Sequence, residues 1–157
     1  MADEELLLDL LNSTPQVAGV EQDLLEQTEA WALTRSRDGR QALAAVRSVL
    51  QDVVRGDEPP SALTPFLRDV RQVPTMTADG VTWTLEAPAA HRTVVRVVLA
   101  WSELEATKAS RLRPCENPEC RLFLLDRSKA NTARWCSMAV CGNRMKARRH
   151  YQAKTRA

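Results

Sequence analysis

Four cysteines constrain this chain more than any other feature. They read C115-ENPE-C120, then fifteen residues, then C136-SMAV-C141. Two pairs at short spacing, separated by enough chain to fold back, suit tetrahedral Zn²⁺, because each pair supplies two thiolates from one turn. Four sulfurs complete the coordination sphere, so Cys115, Cys120, Cys136 and Cys141 are candidate ligands of one structural zinc ion, not of a hydrolytic one. The competing readings are a redox switch and free buried thiols.

The residues between the ligands support a small zinc fold. Asn117-Pro118 suits a tight knuckle, and "RLFLLD" (121–126) reads as a short apolar strand ending at a turn near Ser128 to Asn131. "TARW" is expected to return toward the second pair, where "MAVCGNRMKARRHYQAKT" begins to read as a helix. Knuckle, hairpin and helix give a treble-clef-like expectation. Leu122, Phe123, Leu124, Leu125 and Trp135 are nearly the only large apolar groups of this segment. The metal is therefore expected to act as its core, since structural zinc contributes on the order of 10 kcal/mol to folding such modules.

Charge divides the chain at the same place. Residues 1–107 hold 9 Lys and Arg against 17 Asp and Glu, a net −8, whereas residues 108–157 hold 13 against 3, a net +10. A basic tail of that size implies a polyanionic partner. Arg134 and Arg144 flank the cysteines and are candidates to donate to sulfur, because four thiolates on Zn²⁺ leave a charge of −2. Lys146, Arg148, Arg149, Lys154 and Arg156 are too many and too distant for that role. On a helix Arg144, Arg148 and Gln152 form one stripe with Arg149 and Arg156 close by, which offers donors to phosphates and base edges. Arg127 and Lys129, at the expected hairpin turn, can add phosphate contacts. These eight cations are the candidate DNA-binding residues. His91 and His150 are not needed as ligands.

The 157 residues suffice for one hydrophobic core and a small appended module. Leucines 6, 7, 10 and 11 predict a two-turn helix, residues 20–35 a second, and 40–55 a third ended by Gly56. Ser61 caps a predicted fourth helix reaching Gln72. Alternation around Asp79-Gly80 predicts strands at 73–78 and 81–86, and Ala89 to Ser110 a long helix through the core. Trp31, Trp83 and Trp101 are expected to be core residues. The fold class is thus mainly α: a helical bundle with one small β-hairpin over 1–110, then a Zn(Cys)4 finger with a short hairpin and a basic C-terminal helix over 111–157.

With those residues in view, "RPCENPECRLFLLDRSKANTARWCSMAVCGNRMKARRH" resembles the CGNR zinc finger, named for the tetrapeptide found here at Cys141, Gly142, Asn143 and Arg144. The C-x4-C pair, Asp126 with Ser128, and "RWCSM" follow its pattern. "LDLLNSTP", "LLEQTEAWAL" and the Asp-Gly hairpin resemble the ABATE domain that usually precedes this finger. The resemblance implies a bacterial, stress-linked transcription regulator that binds duplex DNA through the finger, while its helical domain dimerises or senses an effector. It also implies that Asp126, Ser128 and Asn143 brace turns.

The alternative reading is a zinc-stabilised interaction module that docks an acidic partner, such as the transcription machinery or the acidic half of a second copy. An enzyme is not expected, since the chain has no phosphate-cradling glycine loop and only two histidines. No apolar run approaches the roughly 18 residues that span a bilayer, and the start "MADEELLLDLLNS" is acidic where a signal peptide is basic. A cytoplasmic protein without a membrane partner is expected.

Overall fold

Leu6, Leu7, Leu10 and Leu11 are all fully buried, as their spacing on a helix requires. The computed structural model that shows this describes residues 2–155 and is about half helical, with three short antiparallel hairpins. In chain order the elements are α1 (Asp3–Leu11), a minimal ribbon β1 (Gln16–Val17) and β2 (Val20–Glu21), α2 (Glu29–Leu33) and α3 (Arg37–Arg55). A hairpin of β3 (Arg71–Thr77) and β4 (Gly80–Glu86) follows, then α4 (Arg92–Thr107), a hairpin of β5 (Leu112–Pro114) and β6 (Phe123–Leu125), and α5 (Asn143–Thr155).

Helices α1, α3 and α4 pack on one another. The third presents Leu43, Val46, Leu50 and Val53 along one face. The fourth buries Val94, Val95, Val97 and Val98 in succession, so more than one of its sides is covered. At roughly 1.5–3 kcal/mol for each large aliphatic side chain removed from water, these faces supply most of the driving force. Arg47 and Gln51, one turn apart on α3, serve the end of α1. Arg47 Nη1 donates to Ser13 Oγ at 3.0 Å, and Gln51 Nε2 donates to the Leu11 carbonyl at 2.8 Å. Gly39 allows the start of α3 to approach the turn at 89–91, where a Cβ would stand 2.2 Å from the Ala90 carbonyl oxygen.

The structure corrects several local expectations. The predicted helix over 20–35 is broken. Ala18 and Gly19, with φ of 52° and 80°, make a tight turn between β1 and β2, and helix resumes only at α2. Asp23 accepts from the Leu25 N–H at 2.9 Å and Thr28 caps α2, so side chains rather than helical carbonyls take those donors. The third helix starts earlier than predicted because Ser36 caps it, accepting from the Gly39 N–H at 3.0 Å. The predicted helix over 61–72 is a 3-10 stretch at Pro60–Leu67, since Pro65 lacks the N–H that an α-helix needs there. The β3–β4 turn consists of Ala78 and Asp79, and Gly80, at φ 114°, supplies the left-handed residue after them. Trp31 and Trp101 pack at the edge of the core, whereas Trp83 is 63% exposed.

Candidate metal centre and basic helix

The first cysteine pair sits on the loop of the β5–β6 hairpin, in which Leu112 pairs with Leu125 and Pro114 with Phe123. This differs from the expected partner of β6. The segment 132–135 returns as irregular chain outside the ladder, while the strand paired with β6 precedes Cys115. The returning chain is held by the Glu116 N–H, which donates to the Arg134 carbonyl at 2.9 Å. The knuckle closes through the Cys120 N–H, which donates to the Asn117 carbonyl at 2.8 Å.

Cys141 lies on a wide turn at Met138–Gly142 that leads into α5, and Cys136 stands two residues before that turn. The Gly142 N–H reaches back five residues to the Ser137 carbonyl at 3.0 Å. Widening the turn lets Cys136 and Cys141, also five residues apart, face one point.

Together the four Sγ atoms lie within 4.8 Å of one another, and both Cys120–Cys136 and Cys136–Cys141 are 3.7 Å apart. A tetrahedral zinc with bonds of about 2.3 Å needs its sulfurs about 3.8 Å apart, so the side chains are already spaced for one ion. Their hydrogen bonds suit thiolates. Asn117 Nδ2 donates to Cys141 Sγ at 3.3 Å and the Cys136 N–H to Cys115 Sγ at 3.4 Å. The two flanking arginines were the candidates for this role, but Arg134 instead pairs with Glu116 at 2.6 Å and lies over the Trp135 ring, and Arg144 is exposed on α5.

Crowding makes the sulfurs resist ionising together. Burial, with the neighbouring Cys115 adding to it, pushes the Cys120 thiol up to about 11, and burial and Cys120 push Cys136 higher still. Burial also raises Cys141, but the Asn117 amide and the adjoining thiols outweigh it and leave that group lowered. A bound dication reverses the penalty, because it stabilises each thiolate and binds as the protons leave.

The hairpin is anchored to the helices. Leu112 and Phe123 belong to the same hydrophobic cluster as α1, α3 and α4. The Asn12 side chain donates to the Phe123 carbonyl at 3.2 Å and accepts its N–H at 2.7 Å, so it serves β6 as a neighbouring strand would. Arg55 lies 4.6 Å over the Phe123 ring. The metal is therefore not this segment's only core. Asp126, 2% exposed, accepts from the N–H groups of Ser128 and Ala133 and from Arg113. The Ser128 hydroxyl above all, with those donors, holds its carboxyl well below the usual carboxylate range. Asn143 Nδ2 donates to the Ala139 carbonyl at 3.2 Å. Both braces match their expected roles. Asn12, Asn117 and Arg113 went unassigned as site residues, because only their partners distinguish them from ordinary polar residues; the knuckle position of Asn117 was the one available signal.

The basic residues divide by surroundings. Arg144, Lys146, Arg149 and Lys154 are exposed on α5 without an ion-pair partner among the described residues, whereas Arg148 pairs with Glu119 at 3.3 Å. Arg127 lies 3.8 Å from Glu5, and it lines a cleft of about 720 Å³ with Glu4, Lys108 and Lys129. Arg156 lies outside the described residues. Glu116, Glu119 and Asp126, the three acidic groups after residue 107, all have internal cationic partners. The excess positive charge of α5 is accordingly left facing solvent.

A four-sulfur centre closed by N–H···S bonds and followed by an exposed basic helix defines a structural zinc-binding finger. Residues 111–154 match the family model of the CGNR zinc finger, so such a module is present in this chain, with four cysteines positioned for one zinc ion. No curated protein matches the chain. No described helix is long and apolar enough to cross a membrane.

Proposed function

We propose that this protein is a DNA-binding transcription regulator whose zinc centre sets the direction of α5, with a helical, ABATE-like N-terminal body that dimerises or senses an effector. One observation carries the reading. Residues 143–154 of α5 are all exposed except Met145, which is half-buried, and four of its cations have no ion-pair partner among the described residues. Thirteen residues of helix span about 20 Å, a length that fits a major groove.

The test is binding of the zinc-loaded protein to duplex DNA across a salt series. Each phosphate neutralised contributes about −0.9 to the slope of log affinity against log salt. Arg144, Lys146, Arg149 and Lys154, with Lys129, give an expected slope near −4 to −5. Zinc-loaded protein that leaves duplex unbound at low salt overturns the proposal.

A specific observation favours the alternative, an interaction module for an acidic protein. Met138 and Val140, 56% and 55% exposed, stand beside the basic helix, and aliphatic groups of that kind suit a protein surface better than a phosphate backbone. A partner that is captured equally before and after nuclease treatment supports this second reading.

A further inference from the structure

The β3–β4 hairpin has one face made almost wholly of large apolar groups, and this face is open to solvent. Directly opposed residues of an antiparallel pair share a face. The register Gln72↔Leu85, Pro74↔Trp83 and Met76↔Val81 therefore gathers Pro74, Met76, Val81, Trp83 and Leu85 on one side. The other side carries Thr75, Thr77, Thr82 and Thr84 around Val73. Met76 is 76% exposed, Trp83 63%, Val81 50% and Leu85 42%. At ordinary side-chain areas this is on the order of 500 Å² of contiguous apolar surface, as large as the biggest patch on a typical monomer. An isolated two-stranded ribbon is marginal in water, so leaving such a face uncovered is doubly unfavourable.

We propose that the apolar face of this hairpin docks on the same face of a second copy of the chain, forming a two-fold dimer. Three features select that occupant. Gln72 is the only polar residue on the face, so neither nucleic acid nor a charged peptide finds a group to recognise there. The net −8 of residues 1–107 opposes an anionic lipid surface. Face-to-face pairing doubles the buried area to about 1,000 Å², the lower bound of a specific interface, without placing charge against charge. The length of the ribbon supplies the remaining condition. Seven residues per strand reach about 23 Å, which lets the arms meet while the two acidic bodies stay apart.

The inference rests on the part of the proposed function in which the N-terminal body pairs. It is tested without nucleic acid, so its failure leaves DNA binding standing. Zinc-loaded protein is sedimented over about 1–200 μM, the micromolar range of weak contacts. A concentration-dependent dimer is expected. Trp83→Lys enters the two-fold contact twice and should raise the dissociation constant about 100-fold or more, with zinc content and far-UV circular dichroism unchanged. Thr82→Lys places the same charge on the opposite face and should leave the dimer intact. A wild-type monomer throughout the range overturns the proposal, whether or not the protein then binds lipid vesicles. So does a dimer that survives Trp83→Lys, or one that Thr82→Lys disrupts equally.

Discussion

Replacing Asn12 tests whether the finger is held by the helices or only by its metal. Its amide makes two hydrogen bonds to the backbone of Phe123, a residue 1% exposed. Asn12→Ala leaves a buried N–H and a buried carbonyl oxygen without that partner. An unmet buried group costs about 1–3 kcal/mol, and water entering at the half-buried Asn12 position offsets part of this, so a loss of about 2–4 kcal/mol is expected. For a chain of this length that corresponds to a melting temperature lower by about 5–15 °C, measured by circular dichroism on zinc-loaded protein. Asn12→Asp separates hydrogen bonding from space filling. It keeps the shape and the acceptor but turns a second oxygen toward the Phe123 carbonyl, so it should destabilise at least as much as alanine. Zinc stoichiometry should stay at one in both variants. A loss under about 0.5 kcal/mol for both refutes the idea that the amide stands in for a strand.

Further outcomes follow from the metal centre, the acidic half and the basic helix. Cys136→Ser removes a ligand that lies 3.7 Å from two others; it should abolish stoichiometric zinc and raise amide exchange over residues 115–142, with α1, α3 and α4 less affected. Asp23, held by Arg47 at 2.6 Å, has its carboxyl lowered from 3.8 to about 2. A lowered folded value means that its contribution is complete above about pH 4 and is lost as pH falls toward 2. The stability gap between wild type and Asp23→Asn should therefore be constant from pH 7 to 5 and close between about 4 and 2, with zinc loss common to both proteins. A gap that widens on acidification contradicts the assigned ion pair. Arg149→Ala should weaken duplex binding across sequences and reduce the salt slope by about 1; Arg148→Ala also breaks a pair with Glu119, so it is the poorer probe.

The metal centre was legible in the sequence because its signal is spacing. C-x4-C twice, fifteen residues apart, can place four sulfurs around one point, and the structure does so. Helices α1, α3 and α4 were legible for a similar reason, since their leucines and valines repeat at the helical period over several turns. The break in the predicted helix over 20–35 was not. The apolar period there is real, but Asp23 and Thr28 take local hydrogen bonds that a continuous helix would deny them. Nor did the sequence reveal how the hairpin at the metal centre pairs, because strands of three residues carry too little pattern to name a partner.

The surface was least legible. Trp83 was expected in the core because tryptophan buries more area than other side chains, yet it is 63% exposed on an arm whose apolar face no other described element packs against. Alternation states which residues share a face and says nothing of what lies against it. The charge halves show the same division. The −8 and +10 are properties of composition. Which cations are spent on Glu5, Glu116 and Glu119 and which remain open on α5 depends on contacts across as many as 122 positions. By itself the sequence determined the ligand set, the main helices and the sign of each half, because these depend on residue type at short separation. The tertiary structure decided that the finger shares the helical core, which arginines are already paired and which apolar face is left bare, because those depend on residues that meet only once the chain has folded.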